Sequence, residues 1–168
     1  MSQLFDWSVS LAESAVPYEI DLAPDIVEAY LEGGEAREEL FKQTDTSIAG
    51  GFGPGTGVAL LPFILNGIAA ASKWIFTLLS SEKTSNAVSV VKDIKELLMQ
   101  GKREEAKKEV QQLSDTNPYD ALKQIIDTLG FELRKSGIPD NEADLITFRV
   151  LVNLLENSEG TTVFIKHL

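Results

Sequence analysis

The sequence predicts an all-α fold, a helical bundle around one central apolar helix at about 58–80, with room for short extended segments at the termini. Three observations lead there. No charged residue occurs from Thr46 to Ser72, and Val58 to Leu79 carries only Lys73. Apolar residues recur at helical spacing through most of the chain after residue 82. The whole is expected to be one domain over 1–168: an acidic part (1–45), a glycine-rich loop (46–57), the apolar helix (58–81) and amphipathic helices (82–168).

Residues 1–20 alternate in part (Leu4, Val9, Leu11, then Tyr18 to Leu22), which predicts a short strand or extended arm on either side of Pro17. A helix should begin near Leu22 to Asp25, with Pro24 in its first turn and Asp21 or Asp25 accepting from its free amides. Ile26, Val27, Tyr30 and Leu31 form its apolar face, and Gly33-Gly34 interrupts it. A second segment, Glu35 to Lys42, places Glu38 four residues before Lys42, a helical pair. Gln43 to Thr56 reads as a loop.

The apolar helix follows, with Pro62 in its first turn. Asn66, Lys73, Thr77 and Ser80 fall along one narrow stripe; the rest of its circumference is apolar and must be covered by protein or lipid. Beyond it, Ala87 to Leu98 gives a clean amphipathic face, Gly101 a turn, and Ala106, Val110 and Leu113 a thinner face on a Lys/Glu-rich helix. Over about 90–118 the spacing resembles one tetratricopeptide-type hairpin, with Ile94 where such repeats carry a small residue and no second copy; antiparallel helix pairing gives the same pattern. Two more amphipathic helices run through 121–133 and 145–155, the second opening on Asp140 and Asn141. The tail, Thr161 to Leu168, is rich in β-branched residues and reads as extended.

Composition excludes several functions. The net charge is −11, with 11 acids against Arg37 and Lys42 in residues 1–45. That disfavours nucleic acid and charge-driven docking on anionic membranes, and suits a basic partner surface. The chain has 0 Cys, so disulfides, thiolate metal sites and cysteine nucleophiles are absent; this fits a reducing compartment. The N-terminal residues lack the basic and apolar regions of a secretory leader, and a cytoplasmic location is expected.

No motif carries a reaction. Gly53-Pro54-Gly55-Thr56-Gly57 looks like part of a phosphate-binding loop, but Val58 and Ala59 stand where that chemistry needs Lys and Ser or Thr. The 1 His, His167, lies at the tail without a nucleophile nearby in sequence. Glu38-Glu39, Glu104-Glu105 and the Asp140, Glu142, Asp144 set fall in helix-surface contexts, and the last lacks the glycine and closing Glu of a calcium loop. Trp7, Phe52, Phe63 and Trp74 are candidates for one aromatic cluster.

The expectation is therefore a non-enzymatic protein–protein interaction module, an adaptor or regulatory subunit, with no cofactor, metal or nucleic acid and a protein partner. It would dock through helix faces or the glycine-rich loop, with Phe52, Gly53 and Pro54 as contacts. The alternative is a membrane-associating or pore-forming protein that exposes helix 58–80. Val58 to Leu79 has the length of a span, Gly67 and Ala71 a small-residue contact, and Phe63, Lys73, Trp74 and Phe76 would meet either core or lipid.

Overall fold

A computed structural model describes residues 2–42, 59–115 and 118–168. All regular structure in them is helical: α1 (Ser2–Ala15), a 3₁₀ turn (Pro17–Leu22), α2 (Ala23–Glu32), α3 (Gly34–Glu39), α4 (Leu61–Ala70), α5 (Ser72–Leu79), α6 (Thr84–Met99), α7 (Arg103–Gln111), α8 (Tyr119–Arg134), α9 (Asp140–Glu156) and α10 (Ser158–Lys166). The helical bundle predicted from the sequence is thus the observed class. The glycine-rich loop, and with it Phe52, Gly53 and Pro54, lies outside the described residues.

The termini are helical, not extended. In α1 the buried positions are Leu4, Trp7, Ser8, Leu11, Ala12 and Ala15, a continuous stripe at steps of three and one. Half of that stripe is Ser and Ala, which carry little hydrophobic signal, so Leu4, Val9 and Leu11 alone look like alternation. At the other end, the β-branched tail is overruled by packing. Gly160, Thr161 and Phe164 share one face of α10, Phe164 stacks on Trp7 with ring centroids 4.7 Å apart, and Trp7 Nε1 donates to Thr161 Oγ1 at 3.1 Å. β-propensity is a weak preference that such tertiary contacts outweigh.

The apolar run is also not one helix. It forms α4 and α5, bent by 72° at Ala71. No proline or glycine stands at the break, so local chemistry does not impose it. Both halves pack on α8, but their second neighbours differ, α2 for α4 and α10 for α5. Ile64, Leu65, Ile68, Ile75 and Leu78 have at most 1% exposure, so both halves belong to the core. The polar stripe is broken with it. Asn66 turns inward and accepts from Tyr30 Oη at 2.6 Å, whereas Lys73 and Thr77 face outward on α5. Among the described residues, no single helix is long and apolar enough to cross a membrane.

A helix that starts inside a core leaves its first amides without water. Here Glu19, fully buried in the 3₁₀ turn, accepts from Leu60 N at 2.8 Å through Oε2 and from Leu61 N at 2.9 Å through Oε1. The carboxylate also sits at the positive end of the α4 dipole. Burial pushes the Glu19 carboxyl above its ordinary value, and the two amide bonds oppose the shift without cancelling it. At α2 the helix start differs from expectation: neither Asp21 nor Asp25 caps it, and Pro24 fills the first turn. Gly33 at φ 77° ends α2 in the left-handed conformation that glycine tolerates, as the Gly33-Gly34 interruption predicts.

Two outcomes follow from this packing. At Gly67, an added Cβ would lie 2.8 Å from Leu129 Cδ2 and 3.2 Å from Leu129 Cα, so α4 and α8 touch only because the side chain is absent. Gly67→Ala gains about 1 kcal/mol of helix propensity and costs about 1–3 kcal/mol of overpacking; urea denaturation is expected to show net destabilisation. For Glu19 the folded pKa lies above the unfolded one, so its contribution is complete below the unfolded value and is lost as pH rises through the folded value. The stability of the native chain relative to Glu19→Gln should therefore fall between acid and neutral pH, read from urea titrations across that range.

Candidate functional site

The sequence-named residues of the apolar segment separate by environment. Phe63, 9% exposed, meets Phe41 edge to face with centroids 5.1 Å apart. Lys73 lies over the Trp74 ring at 4.9 Å, and Phe76 is 37% exposed on α5. Phe63 is thus a core residue, while Lys73 and Phe76 belong to the surface. Phe52 lies outside the described residues, and among those described the other three aromatics do not cluster: Trp7 stacks with Phe164, Phe63 pairs with Phe41, and Trp74 pairs with Lys73.

The carboxylate pairs fall on the surface or in ion pairs. Lys42 bonds Glu39 Oε1 at 2.7 Å instead of the Glu38 expected from spacing. Glu104 and Glu105 are exposed on the first turn of α7. Asp140 and Asp144 serve the bundle: Asp144 accepts from Arg103 Nε at 2.7 Å and Arg134 Nη2 at 2.9 Å, and Asp140 from Arg134 Nε at 3.1 Å. His167 Nδ1 lies 2.8 Å from the carbonyl of Val163, one turn back along its own helix.

Among the helices after residue 82, α7 buries the fewest residues. Gly101, at φ 77°, turns the chain from α6 into it, and the two helices pack as the predicted hairpin. Ala106 is the one buried residue of α7. Its other tie is the Arg103–Asp144 pair, with side chains 33% and 18% exposed. A cleft of about 360 Å³ lies on one flank, between α7 and α8, where Leu98, Val110 and Ile126 meet a rim of mixed sign (Lys107 and Arg134 against Asp127 and Asp144).

On the other flank runs a second groove, also about 360 Å³, between α6 and α7. Val90, Ile94 and Leu97 of α6 line it, and its charged lining residues are Asp93, Glu96 and Glu109, all acidic. The lysines of α6 turn elsewhere: Lys92 pairs with Glu156 of α9 at 3.1 Å, and Lys95 lines a separate pocket beside α9. The two sides of α6 therefore carry opposite charge.

No family model, curated protein or solved structure matches this chain. Function must be read from the surface itself.

Sequence reasoning named the helices of this surface and missed the groove. The signal was present in outline: Val90, Ile94 and Leu97 are spaced i, i+4, i+7, and the acids Asp93 and Glu96 lie one residue before Ile94 and Leu97. What the spacing does not contain is that α7 covers only one side of that stripe.

Asp144 joins α7 and α8 through two arginines, so its loss should loosen α7 before anything else. Asp144→Asn is expected to speed amide hydrogen exchange selectively over Arg103–Gln111, with the amides of α4 unchanged; uniform acceleration would show a global effect instead.

Proposed function

We propose that the protein is a non-enzymatic interaction module that receives an amphipathic, Lys- or Arg-bearing helix of a protein partner in the α6–α7 groove. The observation that carries this is the sorting of charge on α6, with only carboxylates beside the apolar lining of the groove. Val90 and Leu97, partly exposed on either side of the buried Ile94, lie about 10 Å apart along the helix, a spacing over which a partner helix can set two anchors. The carboxylates around it are exposed, so they would steer a basic partner and set its register more than they would add affinity. The net charge of −11 acts in the same direction at longer range. The apolar α4–α5 pair is less available for release. Its bend, the Tyr30–Asn66 bond and the Glu19 cap would all be lost on leaving the bundle.

The test is an NMR titration of the ¹⁵N-labelled protein with a synthetic leucine–lysine amphipathic helix about five turns long. A scrambled peptide of the same composition and zwitterionic phospholipid vesicles serve as comparisons. Shifts concentrated in α6 and α7, with the scrambled peptide at least about tenfold weaker, are expected. The exposed triple variant Asp93→Lys, Glu96→Lys, Glu109→Lys should lose that binding while keeping its helical circular dichroism. Equal affinity for both peptides, shifts elsewhere on the bundle, or binding to vesicles alone would overturn the proposal. Raised salt should weaken the interaction, because the rim charges are solvent-screened.

A further inference from the structure

α7 stands between two apolar surfaces that meet on α6. Leu97 lines the groove on one flank, and Leu98 lines the cleft on the other, with Ile126 of α8 and Phe148 of α9. α7 covers this seam with little apolar material. Ala106 is buried, and Val110 and Leu113 are partly buried against the core, at the spacing i, i+4, i+7. Lys107 and Lys108 follow Ala106. α7 is thus itself an amphipathic, Lys-bearing helix packed on α6, with small anchors.

Specific contacts hold it there. Arg103 Nε donates to Asp144 Oδ2 at 2.7 Å, and Arg134 Nη2 to Asp144 Oδ1 at 2.9 Å. Gly130 seats the second arginine. A Cβ added there would lie 2.9 Å from Arg134 Nη1, so the guanidinium occupies the space a side chain would take. Glycine inside a helix is unfavourable; here it gives Arg134 the room to reach α9. The ends of α7 are held more lightly. Gly101, at φ 77°, is the pivot from α6. Beyond the helix, Asp115 meets Lys123 at 2.7 Å, but Asp115 is 95% exposed and such pairs contribute little.

We infer that α7 is an autoinhibitory lid, latched by Asp144 between Arg103 and Arg134, and that the partner helix displaces it. The inference rests on the docking proposal and adds what controls it. With α7 closed, the groove offers Val90 and Leu97 as partly exposed anchors. Release joins the cleft to the groove and adds Leu98, Ile126 and Phe148. A helix of 9 residues does not persist alone, so release is local unfolding of α7. The partner's apparent affinity is then its intrinsic affinity reduced by the open fraction, which the latch keeps low.

The chain has 0 Cys, so an Arg103→Cys, Asp144→Cys pair can be joined selectively by a short bismaleimide linker. The leucine–lysine peptide of the docking test is titrated before and after joining. Unjoined, the pair lacks the latch and should bind at least about threefold more tightly than the native chain, as should Asp144→Asn. Joined, it should bind at least about tenfold more weakly than before. Gly130→Ala removes the seat of Arg134 while improving helix propensity. Without peptide it should speed amide exchange over Arg103–Gln111 and leave exchange in α8 no faster. Binding by Asp144→Asn no tighter than native, binding undiminished by the linker, or native α7 exchange in Gly130→Ala would overturn the lid. Faster α7 exchange in both single variants, with no peptide binding by any form, would overturn the docking proposal and support the latch alone.

Discussion

The bundle depends on giving the N-terminus of α4 a polar partner without giving it water. A buried apolar helix removes a large hydrophobic surface from solvent, but its first amides go with it. Glu19 resolves that conflict with two bonds, to Leu60 N and Leu61 N. The 3₁₀ turn that carries it is tied to α1, where Val16 N bonds the Ala12 carbonyl. One carboxylate thereby joins the N-terminal segment to the core, although 41 residues of chain separate it from Leu60. The raised pKa is the electrostatic cost of that location. It also means that acid does not withdraw stability through this group, which sets Glu19 apart from the surface carboxylates whose ion pairs acid would break.

Around this centre the polar chemistry is pushed to the flanks of α6. Its inner face, Ala87, Val91 and Ile94, is buried, and α9 packs against it. One flank meets α7, which packs through Ala106 and Val110 and is tied by Arg103, and keeps an apolar groove with an acidic rim. The other flank meets α1 and α9 and forms a polar pocket with two cations. Both arise from one feature of helical geometry. Residues three and four apart share a side, whereas adjacent residues diverge by about 100°, so Asp93 and Lys95 can serve different surfaces.

Much of the fold was legible in the sequence. The amphipathic helices after residue 82 sit where their spacing puts them, because large apolar residues at three- and four-residue steps leave little choice. The Gly33-Gly34 and Gly101 breaks were legible for a similar reason, since both turns use a left-handed glycine. The terminal helices were not. The α1 stripe rests on Ser8, Ala12 and Ala15, which look neutral in sequence, and α10 is held by Trp7, 154 residues away from its partner Thr161. The candidate surfaces were legible only as ingredients, because a groove is a property of two helices and of what fails to cover them.

The sequence by itself determined the helical class, the positions of most helices and the charge of the surface, since each depends on residues within a turn or two of one another. Tertiary structure decided the rest. It bent the apolar run at Ala71, where nothing local requires a break, with α2 packed on one half, α10 on the other and α8 on both. It buried Glu19 against a helix start far along the chain. It also turned the Asn153 amide nitrogen toward Ser10 and Ser14 of α1. These are contacts between distant segments, and their energies appear only once packing has chosen which segments meet.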